Sequence, residues 1–204
     1  TSPWLVDATG RSALVAKQQG VKRHRDDELM ALYTWVQATD LNSTENQDTR
    51  TLIEATPDGW WYTAKLPDQT RIISFQTDAS TTGELLKTQG AWNNQLSQTT
   101  HIKKYLANTT QLDELQRSEA SGARLDAFSG PGWLATGDTA LSFDPLSSQG
   151  LFNALYTAMK ASDTLIEIFK GNTAELKLYT DRLESIRTAY EEKRYYYYSA
   201  EQRW

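Results

Sequence analysis

Apolar and polar side chains alternate with the period of two expected of strands in the first half of the chain. From about residue 148 the apolar positions recur every three and four residues, the period of helices. Leu29 to Thr39, rich in aromatic and β-branched residues, predicts a long strand, and Thr51 to Ala55 a shorter one. Thr56-Pro57-Asp58-Gly59 has Pro and Gly where a turn needs them. Beyond it Trp60, Tyr62, Ala64 and Leu66 alternate with Trp61, Thr63 and Lys65, and Pro67-Asp68-Gln69 turns the chain again. Arg71 to Thr77 places Ile73 and Phe75 on one face and Ser74 and Gln76 on the other; Ile72 breaks the alternation as in a strand partly covered on both sides. The series predicts an antiparallel meander.

Trp4-Leu5-Val6 is strand-like, and Ser12 to Gly20 predicts a short helix capped by Ser12 and ended by Gly20. Val21 to Glu28 is charged and turn-like, and Asp40 to Arg50 reads as a polar loop. Thr82 to Gln98 predicts a helix weakened at Gly90, His101 to Leu106 a short helical turn, and Asp113 to Leu125 an extended segment. Ser129-Gly130-Pro131-Gly132 turns into a strand at Trp133 to Thr136. The helix from about Ser148 carries an apolar stripe of Leu151, Leu155 and Met159 with Phe152 and Tyr156, and Gly171 stops it. Asn172 and Glu175 form a capping-box pattern before a long amphipathic helix through Leu176, Tyr179, Leu183, Ile186 and Tyr190. The run Tyr195 to Tyr198 covers every face of that helix and reads either as a partner surface or as packing. The fold class predicted is α+β, an antiparallel sheet with helices, divided at 1–20, 21–128, 129–171 and 172–204.

Composition narrows the chemistry. The 204 residues carry a net charge of −5, which disfavours a nucleic-acid surface. No cysteine is present, so disulfides, thiolate metal sites and a cysteine nucleophile are excluded. The lack of cysteine fits a reducing cytoplasm. The two histidines, His24 and His101, lie in polar stretches, so no metal site and no Ser-His-Asp arrangement is expected. No stretch is apolar enough for a membrane span. The chain starts almost at once in a strand, so it reads as beginning inside a larger protein, and its end at Gln202-Arg203-Trp204 reads as cut short.

The most informative segment runs from Trp133 to Gly150. An apolar strand leads to Gly137-Asp138, then to Asp144-Pro145, and then to Gln149-Gly150 opening a helix. Glycine lets a ligand approach the backbone, Asp138 offers an acceptor for hydroxyls, and a helix N-terminus favours negative charge. The arrangement suits a hydroxyl-rich, partly anionic ligand. The plainer reading is a capped helix after a turn, with Asp138 or Ser147 only capping.

With Thr139, Ala140 and the spacing to Asp144, Pro145, Gln149 and Gly150, this run resembles the second flavin-binding motif of the flavin-dependent monooxygenase and halogenase superfamily, of aromatic-hydroxylase fold. Thr139 and Ser148 depart from the family's usual small residues. Leu5-Val6-Asp7-Ala8-Thr9-Gly10-Arg11 resembles the family's strand and Asp-Gly turn near the pyrophosphate, and Gly59-Trp60-Trp61-Tyr62 with Leu66-Pro67 its substrate-domain sheet. The resemblance implies FAD as cofactor, with Asp138 accepting from the ribityl hydroxyls and the backbone around Gly150 facing the ring's N1 and O2 edge. It implies further binding roles for Asp7, Gly10, Arg11, Gly137, Asp144, Pro145 and Gln149. Arg11 alone could equally cap a turn. Trp60 and Trp61 read either as core or as a pocket for an aromatic substrate. No residue stands out as a catalytic acid or base.

The family's opening Gly-x-Gly-x-x-Gly is absent; Gly130-Pro131-Gly132 precedes a strand instead of following one. The chain therefore resembles the C-terminal half of such a flavoprotein, with residues 1–20 a remnant of the FAD-binding domain and 21–128 the substrate-domain sheet. The implied parent is an FAD-dependent monooxygenase acting on an aromatic or peptide-borne substrate. Halogenation ranks lower, because Trp60 to Pro67 does not match the halogenase Trp-x-Trp-x-Ile-Pro spacing. A domain that kept the fold without the cofactor is the alternative from another class. The isolated chain is expected to hold FAD weakly or not at all, and to self-associate through the face that the nucleotide half would cover.

Overall fold

The computed structural model describes residues 2–202, and for Gln89 the backbone alone; Arg203 and Trp204, where the sequence reads as cut short, lie outside the described residues. The chain divides into two units, one of residues 1–27 with 121–200 and one centred on 28–120.

The 28–120 unit is built on the predicted meander. Strands β3 (Leu29–Ala38), β4 (Leu52–Thr56), β5 (Gly59–Lys65) and β6 (Thr70–Asp78) pair antiparallel in the order β4-β5-β6-β3. The far edge of β3 is shared by β7 (Thr109–Gln111) and β8 (Gln116–Glu119). Register aligns Leu32, Phe75 and Trp61 across three strands, so the alternation of each strand delivers one apolar row. On that row Trp61 stacks with Phe75 at 4.7 Å and meets Trp92 at 4.8 Å between ring centroids. Trp92 comes from α4 (Gln89–Ser97), which follows α3 (Ala79–Leu85). The single helix expected over 82–98 is broken at residues 86–88, where Thr88 accepts from Ala91 N–H and restarts the chain as an N-cap. Gly90 falls in the first turn of α4 and does not break it. The polar segment 40–50 also contains one helical turn, α2 (Thr44–Gln47), capped by Ser43.

Gly59 explains the tightness of the β4–β5 turn. Its φ is +151°, and a Cβ there would stand 2.1 Å from the Gln76 carbonyl oxygen, so only glycine fits.

The other unit joins two distant stretches of sequence. β1 (Leu5–Asp7) pairs in parallel with β11 (Trp133–Ala135), Leu5 opposite Trp133 and Asp7 opposite Ala135, and β10 (Ser129–Gly130) adds antiparallel to β11. A second small sheet has the order β12-β9-β2, from Leu141–Ser142, Ala123–Leu125 and Arg23–Arg25. The turn expected over 21–28 is therefore partly strand: the charged run Arg23-His24-Arg25 lies on a sheet edge and carries no apolar alternation to announce itself. Because β2 pairs with β9, residues 21–27 and 121–128 belong with the first and last segments and not with the large sheet.

Helix α1 (Leu14–Gln18) is shorter than expected and is not capped by Ser12, whose hydroxyl donates to Thr9 C=O. Its N–H groups go instead to Thr9 Oγ1, from Leu14 at 2.8 Å, and Asp7 Oδ2, from Ala16 at 2.8 Å. Gly20, at φ +78°, ends the turn beyond α1, and Gly171, at φ +95°, ends α5 (Gly150–Phe169). The Asn172 and Glu175 side chains meet each other at 3.4 Å instead of forming reciprocal bonds to backbone, and α6 runs Glu175–Ala200.

The core of this unit gathers Leu125, Phe128, Leu134, Leu141, Tyr179 and Leu183. Tyr179 is fully buried and donates to Ala135 C=O at 2.7 Å, which fixes α6 to the end of β11. Helix α5 is placed the other way round from a usual amphipathic helix. Its buried positions are Asn153, Thr157, Ala161 and Thr164, while Leu151, Phe152, Leu155 and Met159 are 60–77% exposed. Among the described residues no helix is long and apolar enough to cross a membrane.

Candidate functional site

The parallel pairing of β1 with β11 brings the two sequence motifs side by side, since both loops leave the same end of the strand pair. Thr139 Oγ1 donates to Gly10 C=O at 3.0 Å, and Arg11 Nε lies 3.8 Å from Asp138 Oδ2. A second Arg11 nitrogen donates to Ser121 C=O at 2.7 Å, so the guanidinium is held beside the mouth. The Asp138 side chain is 38% exposed and Arg11 28%, which leaves both reachable from solvent.

Asp7 is used differently. It is fully buried and its carboxylate accepts from Thr9 N–H, Thr9 Oγ1 and Ala16 N–H. Burial alone would raise its pKa, but the Thr9 hydroxyl and these N–H groups outweigh it and hold the carboxyl below its usual range. Asp7 thus shapes the Gly10 loop from inside the protein.

Gly137 takes φ +59° at the end of β11, and its N–H donates to Thr157 Oγ1 at 2.8 Å. Thr157, buried on α5, also meets Thr136 Oγ1 at 2.8 Å and donates to Asn153 C=O at 2.6 Å. Asn153 in turn donates to Leu141 C=O at 2.8 Å. These bonds explain why the polar face of α5 points inward: it satisfies the irregular backbone of residues 136–141.

Asp144 is the N-cap of a 3-10 turn at Pro145–Ser147 and accepts from Leu146 N–H at 2.7 Å. The end of α6 grips the same residue from one helix face. Tyr190 Oη accepts from Asp144 N–H at 2.8 Å, and Tyr198 Oη donates to Asp144 Oδ2 at 2.6 Å. Arg194 Nε stands 3.9 Å from that oxygen, while its Nη2 binds Asp27 at 2.5 Å. Residues 190, 194 and 198 are spaced by four, hence their common face. Burial raises the Asp144 pKa and also pushes the Tyr190 hydroxyl up, and Tyr198 and Leu146 N–H only partly counter it at Asp144. With 2% exposure and bonds to Leu146 N–H and Tyr198, the Asp144 carboxylate is spent inside the protein, like that of Asp7.

Pro145, Gln149 and Gly150 are exposed, and a Cβ at Gly150 would meet nothing within 4 Å. No side chain caps α5 at Gln149, so its first N–H groups and its dipole face an open space beside Gly150. Glycine, an uncapped helix start, a reachable carboxylate and a nearby guanidinium together fit a ligand with hydroxyls and negative charge. Of the two tryptophans, Trp61 is fully buried in the sheet core, and Trp60, on the opposite face of β5, is 3% exposed. Sequence reasoning missed Thr157, Arg194 and the separate role of Tyr198. The spacing of four from Tyr190 was the available signal for the last two.

No family model matches the chain. It is 28% identical over 203 residues to a protein of Marinomonas mediterranea named as an FAD-dependent oxidoreductase, LodB, covering 98% of this chain and 53% of that one. Among solved structures, the flavin-dependent brominase Bmp2 superposes with a TM-score of 0.79 at 19% identity, over 90% of this chain and 48% of that one. The flavin-dependent halogenase CmlS gives 0.77 at 23% identity, over 92% and 34%. The chain thus spans about half the length, or less, of the proteins it matches. Its α+β fold is that of the solved flavin-dependent brominase and halogenase, and its sequence aligns with about half of the FAD-dependent oxidoreductase LodB.

Proposed function

We propose that this chain carries the ring end of an FAD site and acts, with the rest of a longer polypeptide, in an FAD-dependent oxidoreductase that hydroxylates an aromatic or peptide-borne substrate. The observation that carries the reading is the junction of the two loops, where Thr139 is bonded to Gly10 and Arg11 stands beside Asp138. Asp138 accepts from the ribityl hydroxyls, and Arg11 provides positive charge toward the phosphates. The backbone around Gly150 and the start of α5 would present N–H groups to the N1 and O2 edge of the ring, where they favour negative charge. Asp7, Thr157 and Asp144 hold these groups in place. FAD, when bound, supplies the redox chemistry; the protein supplies position and electrostatics.

Halogenation is the second reading, supported by the likeness to the brominase and the halogenase, which is as strong as any. Product analysis of the longer protein with and without bromide separates the two.

The site itself is tested by titrating the chain with FAD and following flavin fluorescence anisotropy. Weak saturable binding is expected, reduced several-fold by Asp138→Ala and by Gly150→Leu. Binding indifferent to both substitutions would overturn the assignment, and no flavin binding by the longer protein would favour a domain that keeps the fold without the cofactor.

A further inference from the structure

A cavity of about 790 Å³ opens between the first turns of α5 and the last turns of α6, beside the 143–149 segment. Its volume is that of a small-molecule site. Two pairs of rings form its walls. Phe152 and Tyr156 lie at 5.8 Å with planes 17° apart, and Phe143 and Tyr190 at 4.5 Å with planes 31° apart. Aromatic walls of this kind favour a flat apolar ligand that can stack on one of them.

The charge on the walls is one-sided. Asp144, the acid among the lining residues, is already matched by Leu146 N–H, Tyr198 Oη and the guanidinium of Arg194. Lys193 lies on the wall, one residue from Arg194, and among the described residues it has no carboxylate partner. Lys193 is exposed and hydrated, so a neutral ring would gain nothing from it, a carboxylate would gain an ion pair, and a cationic ligand would be repelled.

We propose that this cavity is a binding site for an aromatic carboxylate, its ring between the two pairs of aromatic walls and its carboxylate on Lys193. The cavity shares Gln149 and Asp144 with the segment assigned to FAD, whereas Gly10, Arg11, Asp138 and Gly150 are not among its lining residues; competition with FAD separates the two assignments.

Calorimetric titration of the chain with indole-3-acetate and with 3-methylindole, the same ring without the carboxylate, tests it. Saturable one-to-one binding of both is expected, with indole-3-acetate roughly tenfold tighter. Lys193→Met keeps the apolar stem of an exposed side chain and should erase that difference while leaving 3-methylindole unaffected. Tyr156→Ala should weaken both compounds. The proposal is overturned by any of three results: no saturable binding, equal affinities for the two compounds in the native chain, or a difference that persists in Lys193→Met. Displacement of indole-3-acetate by FAD would assign the cavity to the flavin ring and overturn it as well.

Discussion

Asp144 is a motif residue whose carboxylate is spent on the protein itself. Its carboxylate is 2% exposed and held by Tyr198, so Tyr198→Phe should leave a buried charge short of a partner. The expected cost is about 2 kcal/mol at pH 7, read from urea denaturation. Because burial raises the folded-state pKa, the protonated carboxyl is favoured in the folded protein. The stability linked to it is present in acid and is lost as pH rises through that raised value. Tyr198→Phe should push the pKa higher still, so its deficit should shrink below the carboxyl's pKa, and a deficit constant with pH would contradict this account. In the large sheet, Gly59→Ala meets the Gln76 carbonyl and should lower stability by roughly 3 kcal/mol, measured by thermal melting.

Among the elements, α5 departs furthest from its sequence pattern. Thr157→Val would remove the acceptor of Gly137 N–H and should cost about 1–3 kcal/mol in denaturant titration. By contrast, Leu155→Glu and Met159→Lys sit on the exposed stripe and should leave stability within about 0.5 kcal/mol. They should also reduce self-association in sedimentation velocity, and unchanged association would show that the stripe does not drive it. The strands were legible because β5 and, save at Ile72, β6 alternate and β3 is rich in aromatic and β-branched residues, and the two-loop motif because glycine, aspartate and proline mark its corners. The orientation of α5 was not legible: Thr157 and Asn153 are buried for hydrogen bonds to backbone about twelve to twenty residues away, which no local periodicity records. β2 escaped for a related reason, since a three-residue edge strand of charged residues is defined by its pairing with β9 alone. Asp7 and Asp144 look like ligand residues in a linear motif. Only the fold shows their carboxylates turned inward.

For the whole molecule, the division at residues 28 and 120 means that the large sheet is one continuous stretch of chain. A polypeptide of residues 28–120 should fold by itself, with its aromatic row around Trp61 giving near-ultraviolet circular dichroism and a cooperative melt. A non-cooperative melt would show that the division by contacts is not one of stability. The other unit cannot form in the same local way. Leu5 finds Trp133 only after the whole intervening sheet has been synthesised, so its parallel pair closes a very long loop for three residue pairs. Refolding should therefore be biphasic, with tryptophan signals of the meander recovering first and Tyr179 protection appearing last. In the cell the same order would leave β1 and the loop beginning at Gly10 waiting for their partner throughout the synthesis of the middle of the chain.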